Sequence, residues 1–278
     1  MRLSGIFRSI RRGGRLGAFT LLELLVVIAI MVLLVAILIP SLRRVRRQTH
    51  TVMCRSNLRQ WGFVFQTYTY DNDGYFHNGD IGDWRHLWMK ALWPYYKDFR
   101  AICFCPAAKT RSYTPRAAGN EFGSTFTSWT VFTGNYEWDE DYFSGSYGIN
   151  GWTRNPPLEL DAQYHGEFPT KWNWRRPDVK EAAEIPLFLD CLWPDGWIKH
   201  DVGPAEHEDL LTNARFCIDR HYEGVNCLLL DWSVRKIGPK ELWTLKWHRE
   251  FNTAGPWTRA GGVEAEDWPR WMRQFKDY

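Results

Sequence analysis

The pattern of hydrophobic and polar positions changes character along the chain. From Leu21 to Ile39 there are 19 positions, of which only Glu23 is charged. At 1.5 Å per residue, such a run makes a helix long enough to cross a bilayer. Beyond Pro40 the pattern becomes periodic. Leu42, Val45, Thr49, Val52, Leu58, Trp61, Phe65 and Tyr68 recur at three- and four-residue steps, which predicts an amphipathic helix with one buried stripe. No further Pro and no Gly interrupts that stripe before Gly62. Residues 19 to about 70 therefore read as one helix of roughly 50 residues, some 75 Å long. The stretch DNDG, Asp71 to Gly74, ends it, because Asp and Asn followed by Gly make a turn and a C-cap. DNDG also has the opening of a calcium loop, but the rest of that motif is missing. The turn is the primary reading and calcium the secondary one.

After the stem the pattern shortens. HLWMKALWPYY, His86 to Tyr96, has a helical pattern stopped by Pro94. ICFCP, Ile102 to Pro106, reads as a short strand, SYGINGW, Ser146 to Trp152, as strand and turn, and IPLFLD, Ile185 to Asp190, as a strand. From Arg215 the sequence RFCID, HYEG, VNCLLL, DW and SVRKI predicts two hairpins. Their turns fall at Tyr222-Glu223-Gly224 and at Asp231-Trp232. Leu242, Trp243, Leu245 and Trp247 suggest a short helix from about 239 to 250. The expected fold class is α+β, with a long N-terminal helix packed on an antiparallel sheet that carries large loop insertions.

Composition sharpens this. With 45% hydrophobic and 24% charged residues the chain is globular. The formal charge of +3 conceals an asymmetry: Arg2, Arg8, Arg11, Arg12 and Arg15 precede the apolar run, with no acid among them. Taking those five from 35 basic residues leaves 30 against 32 acidic ones, so the body is near neutral and unsuited to nucleic acid. The basic leader argues for a cytoplasmic N-terminus, although Arg43, Arg44, Arg46 and Arg47 flank the other end of the span. No phosphate loop, HExxH, GxSxG or dinucleotide fingerprint is present, and nothing else marks an enzyme.

The six cysteines, Cys54, Cys103, Cys105, Cys191, Cys217 and Cys227, include no CxxC pair, which argues against a zinc knuckle. Outside the cytoplasm disulfides are permitted, and Cys217 with Cys227 could pair across neighbouring strands; buried free thiols are the other reading. The 17 Trp are a marked excess. They serve either as core or as exposed rings for stacking on sugars or a protein partner. Trp129, Trp138, Trp152, Trp172 and Trp174, in polar, Gly-rich surroundings, are the candidates for the second role.

A carboxylate in hydrocarbon costs roughly 2.5–3.5 kcal/mol at mid-helix and less near the interface. Glu23 either snorkels to the headgroups or needs a cationic partner. GAFTLLELLVVIAI, Gly17 to Ile30, preceded by the basic leader, resembles the N-terminal signature of type IV prepilins and type II secretion pseudopilins. The resemblance implies that a prepilin peptidase and methyltransferase removes residues 1–18, cutting between Ala18 and Phe19 and methylating Phe19. Ala18 stands where the family usually has Gly; a cut after Gly17 would make Glu23 the sixth residue of the mature chain instead of the fifth. It also implies that Glu23 pairs with the terminal amine of a neighbouring subunit, and that Pro40 permits local melting in the filament. The implied organisation is a leader (1–18), a membrane and assembly helix (19–40), an amphipathic stem (41–72) and an extracytoplasmic β-rich domain (73–278). The implied partners are copies of the chain or other pilin-like subunits, and membrane lipid. The runner-up is a membrane-tethered binding module whose Trp capture polysaccharide or protein.

CRSNLRQWGFVFQTYTYDNDGYF and the pair His221 and Asp231 also resemble a prepilin-like group from planctomycete-type bacteria, which carries an H-x9-D-G block. Trp232 replaces the Gly of that block, and Trp tolerates positive φ poorly, so a turn that is wider or of another type is expected. His221 is expected to hydrogen-bond across its hairpin and fix the register. Asp190, Asp195, His200 and His207 lie nearby in sequence, but their spacing matches no known ligand set, so neither a metal nor a catalytic site is expected.

Overall fold

A computed structural model describes residues 20–78, 87–110, 121–132, 142–157, 169–204 and 215–278. Helix α1 spans Leu21–Asp71, 51 residues with Pro40 inside it. The chain divides into two compact units, Met1–Arg46 and Arg47–Tyr278, with the boundary inside α1. In the first unit the apolar side chains from Leu21 to Ile39 are exposed. This is the one helix among the described residues long and apolar enough to cross a membrane. Because Pro40 lacks an amide hydrogen, the Ala36 carbonyl has no helical donor. Just beyond, Ser41 Oγ donates to the Leu38 carbonyl at 2.8 Å.

In the second unit α1 is half-buried. Its covered face is Cys54, Leu58, Trp61, Val64, Phe65 and Thr69, at helical spacing. The stripe predicted from Leu42 begins later than expected: Leu42, Val45 and Val52 are exposed, and the buried positions start at Cys54. The helix ends as DNDG predicts. Asp73 and Gly74 have φ of 53° and 81°, and the Gly74 amide donates to the Thr69 carbonyl at 2.7 Å, the long bond of a Schellman cap.

Helix α2 (Leu87–Tyr96) runs through Pro94 rather than stopping there. A two-stranded sheet pairs β1 (Trp129–Phe132) with β2 (Tyr142–Gly145). The main sheet contains β3 (Tyr147–Asn150), β4 (Pro186–Asp190), β5 (Asp195–Gly196), β6 (Val225–Leu229) and β7 (Val234–Ile237), in the order β5-β3-β4-β6-β7. It is mixed rather than purely antiparallel, because the short β5 pairs parallel to β3. The side chains of β3, β4 and β6 are buried at every position, as expected of strands covered on both faces. Trp61 and Phe65 of α1 rest on Phe188 of β4, with ring centroids 5.0 and 5.5 Å apart.

Three local expectations change. ICFCP is no strand: a 3₁₀ helix covers Lys97–Cys103, and the Ile102 carbonyl accepts the Trp61 indole N–H at 2.9 Å. The C-terminal helix is reduced to a 3₁₀ turn, Lys240–Thr244, because the Lys246 amide instead donates to the Glu184 carbonyl. The region after Arg215 forms one hairpin, β6–β7, not two. The other edge of β6 is occupied by β4, so Arg215–Asp219 has no strand to pair with. The turn is wider than the two-residue one that Asp-Gly favours, as expected, but Trp232 nonetheless takes positive φ, at 69°. The Trp232 amide donates to the Leu229 carbonyl and the Leu229 amide to the Ser233 carbonyl. This is a three-residue hairpin loop closed by a left-handed residue, with Trp where Gly is usual.

Candidate metal centre

The fold brings four metal-ligating side chains together from four distant segments. Cys54, Cys105, Asp190 and His221 are all buried, and one donor atom from each lies within 4.8 Å of the others. Cys54 is the first buried residue of α1. Cys105 follows the 3₁₀ helix, where its amide donates to Ser146 Oγ at 2.5 Å. Asp190 ends β4. His221 opens a tight turn: its amide donates to the Gly224 carbonyl at 2.9 Å, and Tyr222 and Glu223 between them have φ of 57° and 66°. Two consecutive non-glycine residues in left-handed geometry cost of order 1–3 kcal/mol each, which persists only where surroundings impose it.

His221 Nε2 lies 3.1 Å from Cys105 Sγ and 3.2 Å from Asp190 Oδ2. Cys54 Sγ lies 3.6 Å from the same carboxylate oxygen. The surroundings fix each group. His221 Nδ1 is 3.2 Å from Thr51 Oγ1, whose hydroxyl donates to the Arg47 carbonyl, so the ring donates Nδ1–H outward and turns Nε2 toward the cluster. Tyr147 Oη donates to Cys54 Sγ at 3.3 Å. The Asn226 amide donates to Asp190 Oδ2 at 2.9 Å.

Arg220 is the counter-charge. It is wholly buried, and its Nη1 donates to Asp190 Oδ1 at 3.1 Å. Its remaining donors go to the carbonyls of Ser124, Thr125, Ser146 and Cys191. With every donor engaged, the guanidinium is held rigidly.

These contacts set the ionisation. Burial alone would raise the Asp190 carboxyl, but His221 and Arg220 outweigh it and hold it at about 2. Burial opposes charging of His221, and Asp190 overcomes it, lifting the ring to about 9. Burial likewise resists ionisation of Cys105, yet the Cys54 thiol and His221 bring it down to about 7. Cys54 goes the other way, raised well above its usual value by burial, then by Cys105 and Asp190. One thiol of the pair is thus poised to ionise first.

The candidates read from sequence are distributed differently. His221 and Asp231 do not meet: Asp231 Oδ1 accepts from the Ser233 amide and hydroxyl in the exposed β6–β7 turn. The partner of His221 is Asp190, not its own hairpin. Cys217 and Cys227 are free thiols; Cys217 Sγ faces Met272 Sδ at 3.8 Å, and Cys227 Sγ faces the Leu228 carbonyl. They stay apart because the first predicted hairpin does not form. Of the proposed ligand-facing rings, Trp129, Trp152 and Trp174 are buried, and the indoles of Trp129 and Trp174 donate to the carbonyls of Tyr147 and Trp247. Trp172 is half-buried and stacked on His248 at 4.5 Å. Trp138 lies outside the described residues, as do Ala18 and Phe19. Glu23 has a local partner: its Oε2 accepts from the Thr20 amide and hydroxyl at 2.9 and 2.8 Å, while Thr20 Oγ1 accepts the Glu23 amide at 3.2 Å. That reciprocal arrangement is a capping box, legible in the sequence as T-x-x-E.

Sequence reading missed Cys54 and Cys105 as partners of His221. The separations of 51, 85 and 31 residues along 54, 105, 190 and 221 follow no local motif. Comparison with family models, with curated proteins and with solved structures gives no match.

Proposed function

We propose that the chain is a membrane-tethered, pilin-like subunit that assembles through the apolar half of α1. The observation that carries the reading is the start of that helix. A basic leader runs to a small residue and Phe19, and a helix capped by Thr20 then begins with the one carboxylate of its apolar half, Glu23, in the first turn. In this reading a prepilin peptidase removes the leader after Ala18, the N-terminus faces the cytoplasm, and the domain beyond α1 lies across the membrane. Glu23 then meets the amine of Phe19 from a neighbouring subunit, and the two opposite charges relieve each other's desolvation.

The capping box supplies the test, because Glu23 has two separable roles. Glu23→Gln keeps a residue that can cap the helix but removes the charge; Glu23→Ala removes both. If amine pairing drives assembly, both variants insert normally and both enter filaments poorly. If capping is the only role, Glu23→Gln assembles like the unaltered chain, and the pairing is refuted. Mass spectrometry of the chain co-expressed with a prepilin peptidase supplies the first check. The expected product starts at a methylated Phe19, and an intact leader or a cut after Pro40 would sink the assignment.

A further inference from the structure

The geometry points to a structural zinc site formed by Cys54, Cys105, Asp190 and His221, which clamps the stem helix onto the sheet. It is independent of the assembly reading.

The spacing of the donors is that of a ligand shell. Zinc holds sulfur at about 2.3 Å and nitrogen or oxygen at about 2.0–2.2 Å, so the edges of its tetrahedron measure roughly 3.3–3.8 Å. Three of the six donor–donor separations, 3.1, 3.2 and 3.6 Å, sit near that scale, and all lie within 4.8 Å. Two thiolates and an imidazole are a soft donor set that favours zinc over magnesium or calcium, and four protein ligands close the shell as in structural sites. The supporting contacts also fit. A metal-bound imidazole characteristically donates its other N–H to an oxygen that sets its orientation; here Thr51 is placed to receive it. Tyr147 donates to the sulfur of Cys54. Charge balances as well: two thiolates and a carboxylate exceed a divalent ion by one negative charge, and the buried guanidinium of Arg220 neutralises it. Loading requires each thiol to release its proton and His221 to be neutral.

The placement gives the ion a task. Cys54 belongs to α1, Asp190 to β4, and Cys105 and His221 to the segments that close over them. One ion would tie the stem to strands encoded more than a hundred residues later, in a chain whose six cysteines are free thiols.

The test uses the full chain, expressed with zinc and purified in detergent. Elemental analysis should find about one zinc per chain. Cys54→Ser and Cys105→Ser should fall to background, and Cys217→Ser, which alters a buried thiol outside the cluster, should retain the ion. If the cluster variants do not fold, cobalt exchanged into the unaltered chain decides the matter: intense tetrahedral d–d bands and a sulfur-to-cobalt charge-transfer band are expected. Three results would overturn the site: a metal-free chain without cobalt–sulfur bands, zinc retained in a folded Cys54→Ser or Cys105→Ser chain, or a Cys54–Cys105 disulfide in the non-reduced peptide map.

Discussion

His77 offers a quantitative test of the core. Its ring is wholly buried, and neither nitrogen has a hydrogen-bond partner among the described residues. Burial, reinforced by the Arg154 guanidinium, depresses the ring from 6.5 to about 3. Above pH 6.5 neither the folded nor the unfolded chain holds the proton, so the ring costs nothing through titration. As pH falls below 6.5 the unfolded chain takes up a proton that the folded chain refuses until pH nears 3. Stability is therefore lost across that window. The loss from this one group amounts to ~2 kcal/mol at pH 5 and ~3 kcal/mol at pH 4. His77→Leu replaces the ring by an apolar side chain of similar volume and removes two buried polar atoms. At pH 7.5 its stability should match or exceed that of the unaltered chain, since a buried polar group without a partner costs about 1–3 kcal/mol. Denaturant unfolding followed by Trp fluorescence, in detergent, at pH 7.5, 6, 5 and 4, measures both. The two proteins should diverge below pH 6.5, the variant becoming progressively the more stable. Parallel profiles would refute the reasoning, because titrations common to both chains cancel in the difference.

Further expectations follow from single contacts. Gly224 has φ 152°, and a Cβ there would lie 2.0 Å from the Ile237 carbonyl oxygen across the β6–β7 ladder. Gly224→Ala should therefore cost about 3 kcal/mol or more, seen as a collapse of the unfolding midpoint. Asp195 joins Arg154 at 3.0 Å and Arg215 at 2.8 Å. Asp195→Ala leaves the buried guanidinium of Arg154 without that carboxylate and should cost ~3–5 kcal/mol in the same assay. Trp129→Ala empties a fully buried site and should cost ~3–5 kcal/mol. Trp172→Ala should cost less than Trp129→Ala because its ring is only partly buried, and equal losses for the two would contradict the burial described above.

What the sequence makes legible is local. The long apolar run, the DNDG stop, IPLFLD and the β6–β7 hairpin all follow from periodicity or turn chemistry acting over a few residues. Even Trp232 obeys the turn, with its ring packed at the edge of the core while its backbone takes a conformation better suited to Gly. What stays hidden depends on which segment claims which partner. ICFCP has strand composition, yet it coils because its carbonyls serve Trp61 and Ser146. Trp129, Trp152 and Trp174 stand among polar residues in sequence, and tertiary packing nonetheless buries them. The cluster around His221 is the clearest case. Each of its four members has an unremarkable neighbourhood in the chain, and only the strand order β3-β4-β6 under α1 makes them neighbours.

The contact between the stem and the sheet also has a consequence in time. Trp61 rests on Phe188, which is made 127 residues later (188 minus 61). At about 5–20 residues per second, roughly 6–25 s separate the synthesis of the two rings. Through that interval the second half of α1 carries Trp61 and Phe65 with no strand to cover them. A growing chain in this state is exposed to association with its neighbours. The order in which the ribosome delivers the halves of the core thus sets the hazard, and it ends only when β4 and β6 have emerged.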